Sequence, residues 1–114
     1  MGFERWQVVR VPFPFTDRAA SKIRPALVLS AADSFNNLAG HVVLGMLTSA
    51  GHAPWPLDCP IGDLAAAGLP VPTVLRMKLF TLDARLIRAP LGQLAMPDRT
   101  RVAGALAQLW GEDK

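Results

Sequence analysis

The stretch "TVLRMKLFTL", residues 73–82, alternates without interruption. Val74, Arg76, Lys78 and Phe80 fall on one side and Leu75, Met77 and Leu79 on the other. That is the two-residue period of a half-buried strand, and it sets Arg76 and Lys78 pointing the same way. The segments around it carry the same signature. "PALVLS" (25–30) and "HVVLGMLTS" (41–49) are short, nearly continuous apolar runs rich in Val and Leu, which reads as buried strands. "NNLAG" (36–40) separates them as a turn. Upstream, "WQVVRVPFPF" (6–15) is a strand closed by Pro12 and Pro14, because proline cannot donate to a central ladder, and the polar loop "TDRAASK" (16–22) follows.

Proline punctuates the middle of the chain too. "APWPLDCP" (53–60) is confined to an edge strand or an extended segment, and "GDLAAAGLP" (62–70) to one or two helical turns stopped by Gly68 and Pro70. "RLIRAPLGQL" (85–94) reads as a further short strand and turn. From Pro97 onward Val102, Ala103, Leu106, Leu109 and Trp110 recur at helical spacing, with Asp98 in the first turn and Gly111 at the stop. This order predicts a mainly β chain with a C-terminal helix, a small and strongly bent antiparallel sheet or barrel, organised as one domain over residues 1–114.

Composition narrows the class. In 114 residues, 51% hydrophobic, there is material for one core, and no apolar run approaches the roughly 18 residues of a membrane-spanning helix. The start "MGFERWQVVR" carries charges where a signal peptide would be apolar, and Trp6 breaks the myristoylation pattern, so a cytoplasmic protein without membrane attachment is expected. The single Cys59 excludes an internal disulfide and reads as a quiet buried thiol; with only His41 and His52 beside it there is no zinc-like spacing, and no cofactor is expected. The net charge of +3 is unevenly spread. Arg18, Lys22 and Arg24 form one basic group and Arg76, Lys78, Arg85 and Arg88 another, around a middle with no Lys or Arg between Asp33 and Arg76. Brought together they would suit a polyanion; apart, they are solvated charges.

Four blocks in series, "VPFPFTD" (11–17), "SKIRPALVLS" (21–30), "LTS" (47–49) and "GLPVPTVLRMKLFTLD" (68–83), resemble the successive blocks of the MazF/PemK toxins, the endoribonuclease half of type II toxin–antitoxin pairs. The resemblance runs from about Val8 to Leu94. It implies an SH3-like β-barrel that forms a homodimer. It also implies an mRNA interferase that cuts single-stranded RNA at short sequences without a metal ion, leaving 2′,3′-cyclic phosphate and 5′-OH ends, and that is silenced by a cognate antitoxin.

The residue chemistry fits such a reaction. RNA supplies its own nucleophile, the 2′-OH, so the protein has to orient it, take its proton, stabilise the phosphoryl oxygens and protonate the leaving 5′ oxygen. Arg24 is a permanent cation with forked donors for phosphate, and Pro25 biases its backbone toward extended geometry. Thr48 and Ser49 end an apolar strand with two hydroxyls; by resemblance Thr48 is the catalytic hydroxyl and Ser49 an auxiliary. Arg76 matches an arginine that some members use near the scissile phosphate. In some of those members a carboxylate lies two residues later, where this chain has Lys78, so Arg76 and Lys78 are candidates for binding RNA backbone phosphate and the proton acceptor is left to water, Asp17 or another residue. Phe13 and Phe15 are candidates for stacking on unpaired bases, or for the core. His52, in "SAGHAP", is a candidate proton shuttle or RNA contact. Trp55 could line a groove or close the core, whereas Trp6 and Trp110 read as packing residues.

Two other readings stand beside this one. The gyrase-poisoning CcdB toxins are barrel dimers that bind a protein and catalyse nothing, and their Trp-Gly-containing C-terminus is echoed by Trp110-Gly111. Lys78 also leaves room for an inactive member that binds RNA or a partner without cutting.

Overall fold

The computed structural model describes residues 2–12 and 22–112. Six strands form one sheet in which every pairing is antiparallel: β1 (Gln7–Pro12), β2 (Ile23–Val28), β3 (His41–Ser49), β4 (Cys59–Pro60), β5 (Thr73–Asp83) and β6 (Ala89–Gln93). Their order across the sheet is β4-β5-β3-β2-β1-β6. The sheet curls into a half-barrel, and the expected small-barrel architecture with a C-terminal helix is what the chain adopts. Among the described residues three α-helical segments are interspersed with the strands, α1 (Asn37–Ala39), which continues a π-turn over Ala32–Asn36, α2 (Leu64–Ala67) and, after β6, α3 (Met96–Trp110), and a 3-10 turn covers Ala84–Leu86.

Because the strands alternate, the curled sheet is apolar on both faces. Val8, Leu27, Leu29, Leu47, Leu75 and Leu94 pack under Val102, Ala105 and Leu106 of α3, with Met77 and Leu79 against them. Val9, Val11, Ala26, Val28, Val42 and Leu44 pack on the other face with Ile87, Phe3 and Phe80. The division of β5 read from "TVLRMKLFTL" is therefore observed. Two irregularities bend the sheet: Leu91 is the extra residue where β6 meets Val8 and Val9, and Met77 and Lys78 are extra on β5 opposite Gly45 and Met46. A Cβ on Gly45 would lie 2.7 Å from Leu75 Cδ1, so the tight bend leaves no room for a side chain there.

Buried polar groups tie the periphery to this sheet. Asn36 Nδ2 donates to the Phe3 carbonyl at 2.8 Å and the Ser30 carbonyl at 3.0 Å, while Ser30 Oγ accepts from Val43 N–H at 2.9 Å; together they hold Phe3 over the second face. Asp98, 2% exposed in the first turn of α3, accepts from the N–H groups of Gly62 (2.8 Å) and Asp63 (3.0 Å) and pairs with Arg101. The turn before α2 is thereby clamped to α3.

The helix departs from its sequence reading in register. Val102, Ala105 and Leu106 are buried, whereas Ala103 is exposed, Leu109 is 39% exposed and Trp110 57%. The last turn of α3 diverges from the sheet and leaves a cavity of about 230 Å³ walled by Arg5, Leu29, Val43, Leu79, Leu106 and Trp110. Trp110 thus edges a cleft where a place in the core was expected. Trp6 does pack on the core, with Arg5 over its ring at 4.2 Å. No helix among the described residues is long and apolar enough to cross a membrane.

Candidate functional site

Pro25 shapes the site. It lies inside β2, paired with Arg10 of β1 on one side, but on the other side the β2–β3 ladder runs only through Ala26↔Met46, Leu27↔Gly45 and Val28↔Leu44. Proline has no N–H to give, so the ladder toward β3 stops where Pro25 begins, while β3 stays paired with β5 as far as Ser49↔Thr73. The two strands part and a cavity of about 230 Å³ opens, walled by Arg24, Pro25, Leu47, Thr48, Ser49, Leu69, Pro70 and Thr73 among others. Continued by two residues, the register sets Arg24 across from Thr48. The cation and the hydroxyl that the sequence singles out separately are walls of one cavity.

Arg24 and Pro25 also border a second cavity of about 410 Å³, with Arg10, Gly68, Leu69 and Leu91. The two cavities share Arg24, Pro25, Leu69 and Pro70, so Arg24 stands at the wall common to both. Arg10 is exposed and brings a second guanidinium to the larger cavity. Nothing local marked it, because it stands alone in an apolar strand; it becomes visible only once Arg10 is seen paired to Pro25. The wall formed by Leu69 and Pro70 is set by α2, whose C-cap Gly68 has φ +71° and lies where a Cβ would come 2.1 Å from the Leu91 carbonyl oxygen. No Asp, Glu or His is among the described residues that wall either cavity.

The second basic group is placed differently. Arg76, expected as an RNA contact near the scissile phosphate, is only 8% exposed. Its Nε donates to Asp58 Oδ1 at 3.2 Å and its Nη2 to Asp58 Oδ2 at 2.9 Å and to the Ala53 carbonyl at 2.8 Å. Burial of Asp58 works against its charge, but the Arg76 hydrogen bonds outweigh it and hold the carboxyl below the usual carboxylate range. Arg85 is exposed and paired with Asp83, whose carboxyl is strongly lowered by that contact. Lys78 is partly buried, with Nζ 4.8 Å from the Trp55 ring centroid. Asp58 escaped the sequence reading because its partner lies on another strand, and no local spacing connects them.

Ser49 is exposed at the groove beside Thr48, which is buried. His52 is exposed in the loop after β3 and walls neither cavity. Phe13, Phe15, Asp17 and Arg18 lie outside the described residues. Cys59 is buried and its thiol is pushed up, first by burial and then by the neighbouring Asp58 charge, consistent with a quiet thiol. Among the described residues no three His, Cys, Asp or Glu side chains gather into a metal-holding group.

The model of the PemK-like, MazF-like toxins of type II toxin–antitoxin systems matches residues 4–110. The chain belongs to that family. Among solved structures it is similar to a MazE–MazF complex from Deinococcus radiodurans, at 27% identity, TM-score 0.76, over 99% of this chain and 100% of that one. An endoribonuclease in complex with its cognate antitoxin from a mycobacterial species matches with TM-score 0.78 at 20% identity over 99% of both chains. The Mycobacterium tuberculosis toxin MazF-mt6 matches with TM-score 0.74 at 17% identity, over 95% of this chain and 99% of that one. These last two share the fold. Among curated proteins there is no match to this chain. For this MazF-like toxin the Trp110-Gly111 pair has a structural explanation: Gly111, at φ +78°, ends α3 in the left-handed conformation that a helix C-terminus favours.

Proposed function

We propose that this MazF-like toxin is a metal-independent, sequence-specific endoribonuclease of single-stranded RNA, acting in the cytoplasm as a homodimer and held in check by a cognate antitoxin. The observation that carries the reading is the shared cavity of Arg24 and Thr48, opened by Pro25 at the end of the β2–β3 ladder. A phosphate seated there meets a guanidinium from one strand and a hydroxyl from the next. Arg24 neutralises charge building on the phosphoryl oxygens as the 2′ oxygen bonds to phosphorus and the bond to the 5′ oxygen breaks. Thr48 holds a phosphoryl oxygen, and Ser49 and Arg10 extend the contact along the groove. The 2′-OH proton passes to water or to Asp17, and the leaving 5′ oxygen takes a proton from Arg24 or solvent, giving a 2′,3′-cyclic phosphate and a 5′-OH. That the chain is a family member and that MazF relatives are solved with antitoxins supports the same reading. No observation favours the gyrase-binding alternative.

The test is incubation of the purified protein with a long single-stranded RNA transcript in EDTA, with analysis of the product ends. Cyclic-phosphate and 5′-OH ends, lost in Arg24→Ala, are the expected result. Intact RNA, or cleavage undiminished in Arg24→Ala, overturns it.

A further inference from the structure

A tryptophan offers a broad aromatic face, and one left partly open on a fixed mount presents that face to a ligand. Trp55 is 41% exposed, and its mount is tied through the half-buried Asp58 to the buried Arg76. Its N–H donates to Asp58 Oδ2 at 2.9 Å, and Asp58 N–H donates back to the Trp55 carbonyl at 3.2 Å, closing a tight turn in which Leu57 takes φ +65°. Asp58 is in turn gripped by Arg76 through two hydrogen bonds, and Arg76 also holds the Ala53 carbonyl. Both flanks of Trp55 are thus tied to the middle of β5. Against the ring stand two cations, Lys78 Nζ at 4.8 Å and Arg76 Cζ at 5.6 Å from its centroid.

The place of this ring matters. Arg76 pairs with Met46, and Thr48 is two residues further along β3 on the same face of the sheet. The loop carrying Trp55 leaves directly from Ser49. The ring is therefore carried by the loop that follows the Thr48 end of β3, and stands on the β5 side of that strand.

We infer that Trp55, backed by Lys78 and Arg76, is a nucleobase-stacking subsite for the nucleotide next to the scissile phosphate. An aromatic face takes an unpaired base of any identity, and Lys78 beside it draws the attached phosphate. In this arrangement Arg76 is the positioning residue that keeps the ring in place, and Lys78 the phosphate contact. The inference rests on the endoribonuclease reading for its biological meaning, but it is testable without cleavage.

The probe is a short 2′-O-methyl RNA oligonucleotide, which cannot be cut because its nucleophile is blocked. Binding to the wild type, Trp55→Phe and Trp55→Leu is measured alongside KM and kcat on unmodified transcript, with thermal melts to check folding. Expected are a loss of affinity of about tenfold or more in Trp55→Leu, a matching rise in KM at little-changed kcat, and near-wild-type behaviour in Trp55→Phe. Leu and Phe variants that bind alike, or a Leu variant with wild-type affinity, overturn the inference. A wild type that binds the oligonucleotide through Trp55 yet leaves transcript intact overturns the endoribonuclease reading and leaves the subsite standing.

Discussion

Arg24 and Thr48 stand across the point where the β2–β3 ladder stops, and both wall the same cavity of about 230 Å³. Pro25 is the cause: a residue without an N–H ends the pairing, and the cavity opens beside it. Arg24 and Thr48 border it together because the strands separate.

If Thr48 holds a phosphoryl oxygen, its loss removes one transition-state hydrogen bond. Thr48→Val, which keeps the shape and drops the hydroxyl, is expected to lower kcat by about 10²-fold or more, with Thr48→Ser recovering most of it. Single-turnover cleavage of a transcript measures this. Equal rates for Val and wild type would remove Thr48 from the mechanism.

Asp58 ties its stability contribution to pH. Its folded-state carboxyl lies below the ordinary value, so the pair with Arg76 stabilises the fold above the unfolded-state pKa of about 4 and fades as pH falls through the lower folded value. Asp58→Asn is expected to cost about 2 kcal/mol at pH 7, with the gap to wild type narrowing steadily below about pH 4. Thermal melts between neutral and acidic pH check the sign; a gap that widens on acidification would contradict it.

Asp98 is expected to be the most sensitive acidic residue outside the groove. Asp98→Ala leaves the N–H groups of Gly62 and Asp63 and the Arg101 guanidinium without their shared acceptor. A loss of about 3 kcal/mol follows, a Tm drop of about 10 °C or more for a chain of this size. Calorimetry on the variant is the measurement.

Two glycines should respond in opposite directions. A Cβ on Gly92 would sit 2.3 Å from the Ala66 carbonyl oxygen and 2.7 Å from the Ala67 carbonyl carbon, pushing α2 away from β6 and with it the Leu69–Pro70 wall of the groove. Gly92→Ala is expected to cost about 2 kcal/mol and to reduce cleavage as well. Gly104, in the exposed middle of α3, has nothing within 4 Å of a Cβ, so Gly104→Ala should raise stability by about 0.5–1 kcal/mol and leave cleavage unchanged.

Much of this architecture was legible in the chain before any coordinate. The alternation of residues 73–82, the proline at the end of β1, the edge position of "APWPLDCP" and the glycine stop of α2 each follow from local stereochemistry, and each is found. The helix was less legible: its period was visible, but which of its residues meet the sheet depends on where the sheet ends, and Leu109 and Trp110 pass beyond it.

The site divides in the same way. Arg24, Pro25 and Thr48 were recognisable as residue types suited to a phosphate, since a cation, a proline and a hydroxyl carry their chemistry wherever they lie. Arg76 looked equivalent to Arg24 in sequence, yet the fold buries it against Asp58 and sets Arg24 at the wall shared by two cavities. The chain by itself determined the strand faces, the turns and the stock of charged groups, because side-chain direction and proline's missing donor are fixed by covalent geometry. Tertiary structure alone decided that Arg76 pairs with Asp58, that Trp55 stays exposed and that Arg24 and Thr48 border one cavity, because those outcomes depend on cross-strand register between segments that have no contact in sequence.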